Sequence, residues 1–543
     1  MVGKRVLLWI LTVLFVPLLS LNSGAETTKP AAEYQAYDLG DVVVSAEETR
    51  VKDITITNVI TAEDIKATNS HTVAEALSHA PGVRVTTGAK NQSTVSIQGF
   101  RQENILFMID GVPYYETYFN ILDLGSINTD NIAKIEIIKG APSVLYGANA
   151  MGGAVNIVTK KGTEKPFTSA SFELSENDTY RVSATHGMKK GIFNYWISYM
   201  HEESDGWELS DDFDSKSGYL TYDNKKPPVA NPVFENGGDR ENSDYEADSV
   251  WAKFGIEPNQ DSAYYVNFHY RTRDKGVPSN TVANNVFNPN PANGPTFSQF
   301  YADRMPDYDE WGLDLDGKQR LTSQLVAKLK LFYHDHEDSL YSYEDPTLNT
   351  ILARSHYEDW TAGGTFMLDY QPVSWDAIRM AVNYKKDSHK DTEDEWLPWC
   401  KYESRTGSIG LENEFTKIQN LSIVVGISYD WFEVTDAKRY KLDHGAYDGM
   451  EKLFKPDDDQ INPMIGATYT FSDNTRVYAS VARKSHFPTL KNLYSGVVVA
   501  DGDPHLKSEK STNYTVGVSR PFGTFLKADL GLFYYDIEDK ISK

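Results

Sequence analysis

Beyond about residue 167, apolar residues fall at every second position over segments of about ten residues, a pattern few folds can use. Leu421, Ile423, Val425, Ile427, Tyr429 and Trp431 share one face, and Ser422, Gly426, Ser428 and Asp430 share the other. Leu325, Ala327, Leu329, Leu331 and Tyr333 oppose Lys328 and Lys330 in the same way, as Tyr264, Val266, Phe268 and Tyr270 oppose Asn267 and His269. Leu526, Ala528, Leu530, Leu532 and Tyr534 repeat the pattern near the end. A period of two means β-strands, and roughly fifteen such segments describe either a soluble sandwich or the wall of a membrane barrel.

The N-terminus separates these two. Lys4 and Arg5 precede an apolar run from Val6 to Leu19, and Ser23-Gly24-Ala25 offers the small residues of a leader cleaved after Ala25. That run is too short for the roughly 20 residues a spanning helix needs, and no later stretch approaches that length. An exported chain of this kind can enter a membrane only as a β-barrel, whose backbone is satisfied between strands. Average composition hides this. With 543 residues, net charge -24 and mean hydropathy -0.47 the chain looks soluble, but in a barrel only alternate strand residues meet lipid. The acidic balance disfavours nucleic acid, which needs clustered Lys and Arg. A single cysteine, Cys400, excludes an internal disulfide framework and a Cys-based zinc site.

Connections alternate between short turns, such as Ser472-Asp473-Asn474-Thr475, and long polar stretches, with loops expected at His201 to Ala247, Asp274 to Tyr308 and Val434 to Gln460. Four regions follow: a leader (1–25), a flexible tail (26–52), an α+β unit (53–163) and the strand-rich region (164–543). In the tail, Asp41-Val42-Val43-Val44-Ser45-Ala46 is a β-branched run suited to adding itself to a partner's sheet. In the α+β unit, Thr61-Ala62-Glu63-Asp64 and Thr72-Val73-Ala74-Glu75 start helices and Pro81-Gly82 stops the second. Val95 to Ile97, Ile105 to Ile109, Ile135 to Ile138 and Ala154 to Thr159 are strands, and the glycines between them are turn and close-packing positions.

The chain resembles the TonB-dependent outer-membrane receptors. The resemblance rests on Val59 to Ile65, Ala80-Pro81-Gly82-Val83, Ile97-Gln98-Gly99-Phe100, Met108-Ile109-Asp110-Gly111-Val112-Pro113, and Ile135 to Gly147 continuing through Gly152 to Thr159. Phe487 to Leu490 and Asp503 to Glu509 resemble the family's later strands, while Gln98 and Lys139 stand where Arg is common. The resemblance implies a large antiparallel transmembrane β-barrel of the ~22-stranded type filled by an N-terminal α+β plug domain. It makes Asp41 to Ala46 the TonB box, and Gly99, Asp110, Gly111, Glu136, Gly140, Tyr146, Gly147, Gly152 and Gly153 plug-motif positions. It further implies a monomer in the outer membrane of a Gram-negative bacterium that takes up a ferric siderophore or corrinoid, driven by TonB through strand addition, with no cofactor. In similar receptors several more strands follow Asp503 to Glu509. Here Ile541-Ser542-Lys543 come after one hairpin, so a C-terminally truncated, incomplete barrel is expected.

Ligand residues are less defined. Haem is the alternative cargo, on His486 and His505. Asp205, Asp211, Asp212 and Asp214 could offer oxygen ligands to Ca2+, but their spacing fits no EF-hand and a solvated acidic loop is favoured. His334 and His336 share a strand face expected to be polar and exposed, and Trp396 and Trp399 flank Pro398 beside Cys400 in an expected loop. A plugless porin or adhesin would lack both plug and box. An enzyme would need a nucleophile with its base, and no spacing supplies one. A sensory receptor would carry a folded domain where only about 15 residues separate Ala25 from Asp41.

Overall fold

A computed structural model describes residues 54–88, 90–210, 212–213, 238–278, 302–343, 348–443, 446–495, 502–523 and 526–542. The leader, the tail and the expected TonB box lie outside these. The first strand, β1 (Ile56–Thr61), runs into α1 (Ala62–Ala67), where Thr61 and Asp64 close a capping box: Asp64 N donates to Thr61 Oγ1 (3.1 Å) and Thr61 N to Asp64 Oδ2 (2.9 Å). At α2 (Val73–Ser78) Glu75 N donates to Thr72 Oγ1 (3.2 Å), but the Glu75 carboxylate takes the amide of His71 (2.7 Å), one residue ahead of the usual partner.

Two small sheets follow. The hairpin of β2 (Val83–Thr87) and β3 (Ser93–Ile97) adds β4 (Phe100–Arg101). A second sheet takes β5 (Ile105–Ile109), β6 (Val112–Pro113), β7 (Ile132–Lys139) and β8 (Gly153–Thr159) in the order β1-β7-β8-β5-β6, with β5 and β8 parallel. Both faces of β5 and β8 are buried, which is why Ile105 to Ile109 is continuously apolar rather than alternating. Ile135, Ile137, Val155 and Ile157 pack with Val73 and Leu77 into the core of this domain.

Around it stands an antiparallel wall: β9 (Phe167–Leu174), β10 (Tyr180–Lys190), β11 (Phe193–Ser204), β12 (Tyr245–Asn259), β13 (Ser262–Val277), β14 (Ala302–Met305), β15 (Tyr308–Thr322), β16 (Leu325–Tyr343), β17 (Ile351–Val373), β18 (Asp376–Thr392), β19 (Cys400–Phe415), β20 (Leu421–Asp443), β21 (Ala446–Lys452), β22 (Asp457–Thr470), β23 (Arg476–His486), β24 (Glu509–Phe522) and β25 (Leu526–Glu538). Strands β14 and β21 continue β15 and β22 outward along the same neighbours, β13 and β16 in one case and β20 in the other, which leaves fifteen wall strands among the described residues. A short helix, α3 (Leu490–Tyr494), sits between β23 and β24.

The pleat sorts the side chains. Phe268, Leu313, Leu331, Ile427 and Val516 face outward and are 39–48% exposed, as an apolar belt in lipid requires. Asn267, His269 and Arg271 face inward and are buried against the α+β domain. The strand order closes round from β25 to β9, the register pairs joining β9 to β10 and β25 to β24, and outward residues of β9 and β25 (Phe172, Leu174, Leu530, Leu532, Tyr534) rise to 64–74% exposure.

Two expectations are corrected here. His334 and His336 are buried, because the polar face of this wall is the lumen face and the inner domain fills the lumen. Val434 to Gln460 is chiefly a long hairpin rather than a loop: β20 reaches Asp443 and β21 returns from Ala446, in residues too polar to carry an apolar alternation.

Candidate functional site

The inner domain is anchored to β10 through β18 by charge. Asp110 is at a tight turn in the left-handed region (φ 49°), and its Oδ1 accepts from Thr159 N (2.9 Å). Its Oδ2 meets Lys253 Nζ of β12 (2.9 Å) and Thr159 Oγ1 (2.6 Å), and Lys330 Nζ of β16 donates to its carbonyl (2.6 Å). Burial alone would raise the Asp110 pKa, but the Lys253 ammonium and the Thr159 donors hold it below the ordinary carboxyl range. Asp123 is handled the same way: its Oδ2 meets Lys275 Nζ of β13 (2.7 Å), and its Oδ1 accepts Ser93 N (2.9 Å) and Gly125 N (3.0 Å). Burial opposes its ionisation, and Lys275 with Arg273 more than reverses that. Asp130 pairs with Arg181, and Lys161 with Glu257 (3.3 Å). Tyr114 Oη lies 3.0 Å from His269 Nε2 and accepts from Arg271 Nη2 (3.0 Å).

Toward the long-connection end, the turn Glu116–Ile121 forms an apex. Glu116 N donates to Ile121 O (2.9 Å), and the Glu116 carboxylate accepts the amides of Tyr118 (2.9 Å) and Phe119 (2.8 Å). Tyr118 stacks on His389 of β18 with ring centroids 4.1 Å apart and planes at 7°, and the stack continues through Tyr402 to Tyr494. A cavity of about 430 Å³ separates the inner domain from β11–β13, lined by His71, Asn128, Glu202, Tyr245 and Arg273 among others.

Against β19 through β25 the contacts are neutral on the inner side. Ser143 Oγ donates to Glu412 (2.6 Å), Asn104 Nδ2 to Glu509 (2.8 Å), Asn513 Nδ2 to Met151 O (3.1 Å), and Ser480 Oγ to Ile54 O (2.9 Å). Gln98, in the place where Arg is common, bonds to Tyr535. Wall glycines permit this approach: a Cβ on Gly410 would stand 2.5 Å from Val144 O, and one on Gly466 would stand 2.4 Å from Ile54 Cδ1.

The expected motif positions are mostly structural. Gly99, Gly111, Gly140 and Gly147 have φ of 90°, 73°, 85° and 93° and make turns. Gly152 lies under Phe100 and Gly153 against Ile138 O, Glu136 is buried beside Lys134 (3.1 Å), and Tyr146 is half-buried, lining with Asn149 and Lys385 a second pocket on the β17–β19 side. Asp205 and Asp212 are exposed, while Asp211 and Asp214 lie outside the described residues. His486 is buried beside Glu509 (3.4 Å), whereas His505 is exposed against Phe454, so they do not form a matched pair. Trp396 is 62% exposed and donates to Asp394 (2.8 Å). The sequence reading missed Glu116, Asp359, His389, Lys253 and Lys275. The signal for the lysines was present, since Lys275 shares the parity of Asn267 and His269, already assigned opposite the apolar face.

A β-barrel wall filled by its own N-terminal α+β domain defines a plugged barrel. Residues 50–154 match the TonB-dependent Receptor Plug Domain and residues 250–543 match TonB dependent receptor-like, beta-barrel, so the chain belongs to the TonB-dependent receptors. It is 26% identical over 243 residues to the vitamin B12 transporter BtuB of Vibrio cholerae serotype O1, covering 43% of this chain and 37% of that one. It is 34% identical over 131 residues to the Photobacterium profundum transporter of the same name, covering 24% and 22%. The matched stretch thus spans little more than a third of these relatives' length at most. Among solved structures, the copper transporter OprC superposes with TM-score 0.70 at 14% identity over 89% of this chain and 71% of its own. The ferric yersiniabactin uptake receptor FyuA of Yersinia pestis gives 0.68 at 15%, over 90% and 73%. These two likenesses concern the fold.

Proposed function

We propose that the chain serves energy-coupled uptake of a scarce ligand, a ferric siderophore or a corrinoid, across the outer membrane of a Gram-negative bacterium. The observation that carries this reading is the seat of the plug. A lumen closed by a domain held at once through the buried Asp110–Lys253 and Asp123–Lys275 pairs and the Asp130–Arg181 pair opens only when these are given up together, each leaving charge out of water without its partner. Work must be delivered, and Asp41 to Ala46 is the segment suited to receive it, by strand addition to TonB. Strand addition uses backbone groups, so Val43→Ala has little effect, whereas Val43→Pro or Val44→Pro removes a ladder donor. The proline variants should reduce uptake to background with ligand binding unchanged; full transport by Val43→Pro would sink the assignment of the box.

The matches to vitamin B12 transporters support a corrinoid. Binding of cobalamin, ferric siderophores and haem, each titrated against the purified chain, separates the cargoes. Saturable binding of haem alone would overturn the reading, and the placements of His486 and His505 give haem no support.

A further inference from the structure

The apex of the plug meets the wall in a group of ligating atoms that the transport reading does not use. Glu116 from the apical turn, Asp359 from β17 and His389 from β18 each place one ligand atom within 4.8 Å of the other two. Asp359 and His389 are register partners on adjacent strands, and His389 Nδ1 lies 2.5 Å from Asp359 Oδ1. Both side chains are nearly inaccessible, at 3% and 0% exposure. Asp359 Oδ2 and His389 Nε2 are buried with no hydrogen bond of ordinary geometry, their polar neighbours being the Glu116 carboxyl and Asp391 Oδ1 (3.5 Å).

The charge count is the second observation. Asp391 Oδ1 lies 3.5 Å from His389 Nε2, so three carboxylates (Glu116, Asp359, Asp391) surround one imidazole. The Tyr118, Tyr357 and Tyr402 rings also face it and bring no charge, while the imidazole of His336 on β16 acts on Asp359 from the neighbouring strand. The cations around the group have other partners: Lys90, which also feels Glu116, pairs with Asp338 (3.4 Å) over the Tyr357 ring, Lys491 stands over the Tyr118 ring (5.5 Å), and His336 lies between Glu310 (3.6 Å) and Asp338 (3.9 Å). Protonating His389 supplies one positive charge against up to three negative ones in a place shielded from water. Buried charge in that imbalance is costly unless a proton or a cation is shared among the carboxylates.

We propose that Glu116, Asp359 and His389 bind one divalent transition-metal ion of the Zn2+ class, which ties the apex of the plug to the barrel wall. Two carboxylate oxygens and one imidazole nitrogen are the donor set such ions take, with Zn–O and Zn–N bonds of about 2.0–2.2 Å. Opening the Asp359–His389 hydrogen bond by a fraction of its length admits the ion. The Tyr118 and Phe119 amides on the Glu116 carboxylate, with the Tyr118 ring against His389, already fix the orientation of two ligands. The ion is distinct from any transported chelate, so failure of this proposal leaves the transport reading intact.

The test is equilibrium dialysis of the purified full chain against ZnCl2, with CoCl2 as an absorbing substitute that reports coordination by its visible bands. One ion per chain is expected. Glu116→Gln, which retains an acceptor for the apical amides, and His389→Gln should each weaken binding at least tenfold. His201→Gln should leave it unchanged; this substitution removes the second His/Asp/Glu group among the described residues, His201 with Glu246 and Asp248, which is less buried. If His389→Gln does not fold, Glu116→Gln and the Co2+ spectrum decide the matter. Absence of Zn2+ and Co2+ binding, binding that Glu116→Gln does not change, or binding lost with His201→Gln would overturn the proposal and leave a cluster that shares protons only.

Discussion

The plug has two unlike sides. Toward β10–β18 it is held by buried ion pairs, Asp110 with Lys253 and Asp123 with Lys275 at the centre. Toward β19–β25 it offers neutral groups (Ser143, Asn104, Ile54 O) and lies close to the wall backbone at Gly410 and Gly466. Charge pairs out of water lose much when stretched and regain little until water reaches them, whereas single hydrogen bonds from neutral plug groups lose less, including those from Ser143 and Asn104 that end on the wall carboxyls Glu412 and Glu509. If the N-terminus is pulled as proposed, the neutral side is the one expected to part first, with the ionic side as the pivot.

The largest expected effect tests the ionic side. Lys275→Met takes away the cation bonded to Asp123 and leaves only the field of Arg273, and should cost about 3 kcal/mol in denaturant unfolding followed by tryptophan fluorescence; a cost below that of the neutral-side substitutions would break the comparison. The same side should respond to acid. Asp110 and Asp123 have folded pKa values held below the ordinary carboxyl value, so their contribution is complete above about pH 4. It is lost as pH falls through the folded values, and unfolding midpoints measured from pH 6 downward should fall only at the acid end. Next in size, Gly410→Ala forces a methyl against Val144 O and should cost about 1–3 kcal/mol, with faster hydrogen exchange at Val144 to Tyr146 and little change at Asp110. The smallest effect is expected for Asn104→Ala, about 1 kcal/mol, because Glu509 retains His486 as a neighbour.

Much of the wall was legible in the sequence because a strand in lipid must alternate. The faces assigned to Tyr264 through Tyr270 and Leu421 through Trp431 are those observed, and the alternation gives the fifteen wall strands described. Plug motifs were legible because turns demand glycine or a left-handed Asp, as at Asp110-Gly111. What faces what was not legible. Asp110 and Lys253 lie 143 positions apart, and their meeting depends on strand register, wall tilt and plug orientation together. His334 and His336 were misplaced for a related reason: alternation identifies a polar face but does not say that another domain covers it. The hairpin at β20 and β21 escaped notice because strands that rise out of the apolar layer lose the pattern that marks strands within it.

The single cysteine acquires a practical meaning from where it sits. Cys400 is fully buried in the cluster that includes Tyr118 of the plug apex, Tyr402 and Tyr440. Should the apex leave this cluster during transport, a rise in the reactivity of the thiol toward alkylating dyes would report it without any added label.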